Sequence, residues 1–273
     1  MFTDDPKSAI GVFDSGLGGL TVVSELLKTL PNEDLFFFGD TARVPYGNKS
    51  AETIERYTVQ IFSLMKEHRV KAVVAACNTV SALALEKVAK SVNVPVIGVV
   101  RPGATAAAKT TKNGRIGLIG TRGTVKSGLY REIIHEYLPD AVIYQEACPL
   151  FVPLVEEGLW NDPVTREIAS RYLRRLKEEN VDTLILGCTH YPLLRSLIQS
   201  EMGDAVTLIN PAFETAKETK KALSNAGLLN ENGRTPSCEF TVSDDPDQFY
   251  RFAKEVLGMD ISMPKKILIE AYE

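Results

Sequence analysis

Val73-Val74-Ala75-Ala76-Cys77-Asn78-Thr79 and Leu184-Ile185-Leu186-Gly187-Cys188-Thr189-His190 share one design. In each, a short apolar run leads into a cysteine, small polar residues follow, and an apolar-periodic segment begins. A near-continuous apolar run marks a parallel strand buried on both faces, and the segment after it reads as the helix of a βα unit. Ligands of open α/β sheets bind at the carboxyl ends of such strands. Two thiols delivered to that position suggest a paired acid and base.

The alternation extends through most of the chain. Strands are predicted at Ile10–Phe13, Leu35–Phe38, Ala72–Ala76, Val96–Val100, Arg115–Ile119, Val142–Glu146, Thr183–Leu186, Val206–Ile209 and Glu239–Val242, with helix-length segments between them. Within 50–68, Ile54, Tyr57, Ile61, Leu64 and Met65 fall on one helical face behind the cap candidate Ser50. Asp162-Pro163 supplies a cap followed by proline at the first helical position. The expected fold is α/β, with two similar lobes, each a mostly parallel sheet flanked by helices, and a cleft between them. A weak repeat supports duplication. Ile10-Gly11-Val12-Phe13-Asp14-Ser15 resembles Ile116-Gly117-Leu118-Ile119-Gly120-Thr121, 106 residues on, and the two cysteines stand 111 residues apart. Boundaries are expected near Arg101-Pro102-Gly103 and Asn210-Pro211, giving a first lobe of 1–100 plus 211–273 and a second of 101–210.

The 273 residues carry a net charge of −4 without a basic run, so neither nucleic acid nor an anionic membrane is the expected partner; a small molecule is. No apolar stretch reaches the roughly 20 residues of a membrane helix, and Met1-Phe2-Thr3-Asp4-Asp5-Pro6 is acidic where a signal peptide is basic. These features predict a cytoplasmic protein with reduced thiols. Its four cysteines contain no CxxC pair, which argues against structural zinc.

Asp14-Ser15-Gly16-Leu17-Gly18-Gly19 has a nucleotide-loop look but fails the dinucleotide fingerprint at Thr21, and no Walker lysine is present. It reads instead as a tight turn whose N–H groups face a carboxylate, with Asp14 either a helix cap or a group that orients its neighbour. Cys238 and Cys148 read as structural. Cys77 and Cys188 each precede an expected helix start, where the dipole lowers a thiol pKa toward neutrality. His190, in the turn of Cys188, is placed to aid that thiol or to serve as a core residue; His68 and His135 read as surface. Asp40-Thr41-Ala42-Arg43-Val44-Pro45-Tyr46-Gly47 is a loop of the kind that carries binding residues or merely connects. Glu156 and Glu157, on a helix expected from Phe151, have a solvated face as their plain alternative.

Phe13-Asp14-Ser15-Gly16-Leu17-Gly18-Gly19, Gly39-Asp40-Thr41, Pro45-Tyr46-Gly47, Cys77-Asn78-Thr79 and Gly187-Cys188-Thr189-His190-Tyr191-Pro192, in this order and spacing, resemble the glutamate racemase family over most of the chain. The resemblance implies a cofactor-independent racemase of glutamate that supplies D-glutamate for peptidoglycan, and commonly a homodimer. It implies Cys77 and Cys188 as catalytic cysteines, with Asp14, His190 and Glu156 assisting. Substrate contacts would come from Asp14, Ser15, Tyr46, Gly47, Asn78, Thr79, Thr189 and His190, with Thr121 as a further one. Where many members have an acidic-serine pair, this chain has Asn210-Pro211. Rival readings are a racemase of aspartate or a related amino acid, a cysteine hydrolase using Cys188 and His190, and a non-catalytic two-lobed binding protein.

Overall fold

Residues 1–231 and 236–272 are described by a computed structural model. The chain begins β1 (Ile10–Asp14), α1 (Leu20–Thr29), β2 (Leu35–Gly39), α2 (Ala51–Glu67), β3 (Ala72–Ala75), α3 (Asn78–Leu83), α4 (Leu85–Ala89) and β4 (Val96–Gly98). It continues α5 (Val100–Thr110), β5 (Arg115–Gly120), α6 (Arg122–Ser127), α7 (Leu129–Tyr137), β6 (Val142–Ala147), α8 (Phe151–Glu156), α9 (Pro163–Glu178), β7 (Thr183–Gly187), α10 (Arg195–Met202) and β8 (Thr207–Ile209). Last come α11 (Pro211–Ala226), β9 (Cys238–Val242), α12 (Pro246–Leu257) and β10 (Lys265–Lys266).

Two parallel sheets result, ordered β10-β9-β2-β1-β3-β4 and β6-β5-β7-β8. Within the first, β2-β1-β3-β4 repeats the order of the whole second sheet, so β1 corresponds to β5 and β3 to β7. The sequence repeat therefore has a topological counterpart, and the two cysteines follow equivalent strands. Successive residues of a strand face opposite sides, and both sides here are covered. Val12, Phe37 and Val74 join α1 in one buried cluster, while Phe13, Phe38 and Ala75 join Ile54, Ile61, Leu64 and Met65 of α2 in another. Each of the Val, Leu, Ile, Met and Phe side chains among them contributes about 1.5–3 kcal/mol on burial. The first cluster continues through α11 (Ala212, Ala216, Leu223) to Leu184, Leu186 and Tyr191, so the two sheets share one apolar core.

Both expected caps form. Ser50 Oγ accepts the Thr53 N–H at 3.3 Å, and Asp162 Oδ1 accepts that of Val164 at 2.8 Å ahead of Pro163. Tyr57 is only half-buried on the face of α2 that buries its other apolar residues. All nine predicted strands exist, with ends shifted by one or two residues. β4 stops at Gly98 rather than Val100 because Val100 already opens α5. Arg101-Pro102-Gly103 thus lies in the first turn of that helix, where a proline lacks no needed N–H. β10 was not foreseen; it is two exposed lysines on the sheet edge and has no apolar pattern.

Candidate active site

The carboxyl ends of β1, β3 and β7 meet where the two sheets face each other. Cys77 stands at the N-cap position of α3 without a capping side-chain hydrogen bond, and its Sγ lies 3.5 Å from Ser15 Oγ. Cys188 Sγ lies 3.8 Å from His190 Nδ1, and His190 Nε2 lies 2.9 Å from Glu156 Oε1 at the end of α8. Each sulfur is buried, and each has its own polar attendants. Glu157, next to Glu156, is exposed and takes no part.

Asp14 is wholly buried. Its Oδ2 accepts the N–H groups of Gly16 and Gly19 at 3.2 and 2.9 Å, while Oδ1 is buried with no hydrogen-bond partner. Two of the turn's donors are therefore committed to Asp14 itself, a correction to the expectation that they would be free for a ligand carboxylate. Burial pushes the Asp14 carboxyl up, against the opposing pull of the His190 charge and of the Gly19 and Gly16 N–H groups.

The expected lowering of the thiol pKa is overturned at Cys77. Burial and the neighbouring Asp14 charge push that thiol up to about 12, with a further contribution from Cys188. Its helix is six residues long, too short a dipole to offset desolvation. At Cys188 the expected helix start is displaced. A 3₁₀ turn, Tyr191–Leu194, carries Pro192 and delays α10 to Arg195. His190, rather than a helix terminus, supplies the positive charge there. Burial alone would lower the imidazole, but the Cys188 sulfur and the Glu156 carboxylate together push it up to about 10.

The remaining sequence candidates converge on the same seam. Tyr46 is buried with its hydroxyl donated to Asp40 Oδ2, so Tyr46-Gly47 offers backbone rather than phenol toward the cleft. Asp40 is pinned further by Arg43 Nε at 2.6 Å and Ser243 Oγ at 2.9 Å. Thr79 and Thr121 share a hydroxyl hydrogen bond of 3.0 Å across the seam. A Cβ on Gly47 would come 2.7 Å from that of Thr121, and one on Gly18 would come 2.4 Å from Thr189 Oγ1. Glycine at these two points is what lets the lobes close up.

Asn210 caps α11 by accepting the Ala212 N–H at 3.1 Å, and Pro211 packs against Gly103, so this departure from the family pattern has a structural use. Cys148 is buried, as expected, whereas Cys238 is half-buried at the start of β9. His68 is exposed and stacks on Phe36; His135 is half-buried, its Nε2 at 3.0 Å from the Ala141 carbonyl oxygen. Three contributors escaped the sequence reading. Thr21 Oγ1 donates to the Thr189 carbonyl at 2.9 Å, Tyr130 donates to Asn78 Oδ1 at 2.7 Å, and Gly18 makes the close approach just described. Thr21 and Gly18 stood inside or beside a quoted motif, but no local signal marks Tyr130. Among the described residues no three His, Cys, Asp or Glu side chains gather as a metal site requires, and no helix is long and apolar enough to cross a membrane.

The arrangement brings one cysteine from each sheet, each with its own polar attendants, to the seam between the sheets. Comparisons with known proteins agree on the kind of enzyme that has this architecture. A sequence profile of the Asp/Glu/Hydantoin racemase family matches residues 10–219. A glutamate racemase of Geobacter metallireducens is 46% identical over 97% of this chain and 98% of its own. A glutamate racemase isoform crystallised from Bacillus anthracis superposes with a TM-score of 0.93 at 41% identity, covering 96% of this chain and 98% of that one. The glutamate racemase of Francisella tularensis, solved in complex with D-glutamate, gives a TM-score of 0.91 at 35% identity over 98% and 100% of the two chains. With this likeness running through both sheets and both cysteine-bearing turns, the chain belongs to the Asp/Glu/Hydantoin racemase family.

Proposed function

We propose that the chain is a glutamate racemase that interconverts L- and D-glutamate with two cysteine thiols and no cofactor. The observation that carries this reading is the pair of sulfurs following equivalent strands, β3 and β7, of two sheets with the same strand order. Racemisation removes the α-proton from one face of a tetrahedral carbon and returns a proton to the other. A single base would have to travel around the substrate; two opposed groups need not.

One thiolate takes the α-proton as its S–H bond forms and the Cα–H bond breaks. The electron pair left on carbon delocalises into the α-carboxylate, and the opposite thiol then gives its proton to the other face. The sulfurs exchange protonation states in each turnover. Cys77, whose thiol is pushed up to about 12, rests protonated, and His190 Nδ1 stands 3.8 Å from Cys188 Sγ as that sulfur's partner in proton exchange. Asp14 attends the Cys77 side, and Glu156 holds His190 in orientation. Ser15, the Tyr46-Gly47 backbone, Asn78, Thr79, Thr121, Thr189 and His190 supply contacts for the substrate carboxylates and ammonium, and those nearest the α-carboxylate stabilise the charge developing there. Parting and closing of the lobes admits substrate and excludes water. The product serves peptidoglycan synthesis in the cytoplasm, and the working form is a homodimer.

Incubation of the purified chain with each enantiomer in D₂O tests substrate and chemistry together. Both enantiomers should exchange their α-hydrogen, followed by proton NMR, and converge on a racemate by circular dichroism, without added cofactor. Binding without exchange would overturn the reading, as would exchange of aspartate in preference to glutamate. Restored growth of a bacterium that requires D-glutamate tests the cellular role, and light scattering tests the dimer. A Cys77→Ala protein with unimpaired catalysis would point instead to hydrolysis by Cys188 and His190.

A further inference from the structure

Tyr130 belongs to the second lobe, yet its hydroxyl reaches the residue that follows Cys77 in the first. Gly128, at φ 72°, breaks α6 from α7 and turns the new helix so that its second residue points inward. Tyr130 is wholly buried. Its ring packs with Val100, Ala104, Ile133 and Ile134 and passes within ordinary contact of Gly103 on α5, where an added Cβ would lie 3.5 Å from the ring. The hydroxyl donates to Asn78 Oδ1 at 2.7 Å, and Asn78 is itself 4% exposed. Beside this contact, Thr121 holds Thr79 at 3.0 Å, so the segment from Thr121 to Tyr130 grips both residues after Cys77.

A primary amide has one accepting end and one donating end. With Oδ1 taken by a fixed donor, Nδ2 is the end of the Asn78 amide that remains for a ligand. Released from that donor, the amide can turn over and present its oxygen to an anionic substrate, which is repulsive. Burial raises the phenol of Tyr130, and the charge of Cys188 raises it further, so the group remains a donor at every working pH.

We propose that Tyr130 is a positioning residue for substrate binding, locking the Asn78 amide with its donor end toward the substrate carboxylate. This rests on the racemase reading above and adds to it a residue that touches neither sulfur nor substrate. Tyr130→Phe in the full chain keeps the ring and removes only the donor. The expected result is a rise of about 10-fold in KM for both glutamate enantiomers, with kcat within about threefold and a pH profile parallel to that of the unsubstituted chain. In an Asn78→Ala background the same change should alter KM by less than about twofold, because the residue acts through Asn78. Unchanged KM in Tyr130→Phe, or full additivity in the double variant, would refute the role.

Asn78→Asp provides a second measurement that leaves Tyr130 untouched. It is isosteric and keeps the acceptor for the phenol, but it turns a charged oxygen toward the substrate. KM should rise by more than about 100-fold, roughly two tenfold steps in affinity. A rise of less than threefold would mean that Nδ2 does not face the carboxylate and would overturn the inference. An unsubstituted chain that exchanges no α-hydrogen would sink the racemase reading itself, whereas full wild-type exchange with an indifferent Tyr130→Phe sinks only the assignment of Tyr130.

Discussion

Gly18→Ala probes the docking of the lobes at the point where they are closest. The new methyl would sit 2.4 Å from Thr189 Oγ1, 2.5 Å from His190 Nδ1 and 2.6 Å from His190 Cε1, where ordinary contact begins at 3.4 Å. The imidazole must therefore retreat by about 0.9 Å, the shortfall at Nδ1. It is not free to swing, because Nε2 is held by Glu156 at 2.9 Å. Thr189 is held too, its carbonyl accepting from Thr21 at 2.9 Å. Either the lobes separate or His190 leaves Cys188. A displacement of about 1 Å at a reacting group costs on the order of 100-fold in rate, and overpacking costs about 1–3 kcal/mol of stability. We expect kcat/KM for glutamate, followed by polarimetry, to fall about 100-fold in both directions, with Tm lower by several degrees. Gly114→Ala is the control. It meets open space at φ +71° and should cost only the backbone strain of that conformation, leaving kcat/KM intact. A Gly18→Ala enzyme within about threefold of wild-type kcat/KM would refute the argument that this contact sets the position of His190.

Other perturbations reach different parts of the molecule. Cys77→Ala and Cys188→Ala should each lower racemisation by about 10² to 10⁴ or more, measured in both directions by chiral chromatography. His190 titrates in the fold at about 10, above its ordinary 6.5, so its contribution to stability is complete below about 6.5 and is lost as pH rises through about 10. Glu156→Gln removes one of the groups that raise it, so the fall in urea midpoint should still begin near 6.5 but level off at a lower pH, and with a smaller total drop, than in the wild type. An unchanged pH at which that fall levels off would exclude Glu156 as a determinant. Lys71 and Glu33 form a fully buried ion pair, with Glu33 also accepting the Asn230 N–H at 2.8 Å. Lys71→Ala strands that carboxylate and should cost about 3–5 kcal/mol in denaturant unfolding, whereas replacing both partners with apolar residues of similar volume should cost far less.

Buried parallel strands announce themselves, and all nine predicted strands exist, although the edge strand β6 is mostly half-buried. β10 was invisible since two exposed lysines carry no such pattern. The cysteine turns were legible as strand ends, but their electrostatics were not. The dipole argument is local, whereas the burial that raises the Cys77 thiol comes from tertiary packing. Pro192 in the turn after Cys188 favoured a 3₁₀ start that periodicity alone cannot distinguish from a helix. The contact of Glu156 with His190, 34 residues away, and that of Tyr130 with Asn78, 52 away, exist only once the chain has folded. Residue type gave no hint of Tyr130, which looks like any buried aromatic on an amphipathic helix.

The strand order common to both sheets makes the two sulfurs equivalent by descent of position, but their surroundings have diverged: serine and aspartate on one side, histidine and glutamate on the other. Mirror-image solutes have equal free energy in water, so the Haldane relation forces kcat/KM to be identical for the two enantiomers at every pH. The unlike surroundings of the thiols can then appear only as compensating inequalities, one enantiomer bound tightly and turned over slowly, its twin held loosely and converted fast. Saturation behaviour, rather than overall efficiency, is where the chemical handedness of this molecule becomes visible.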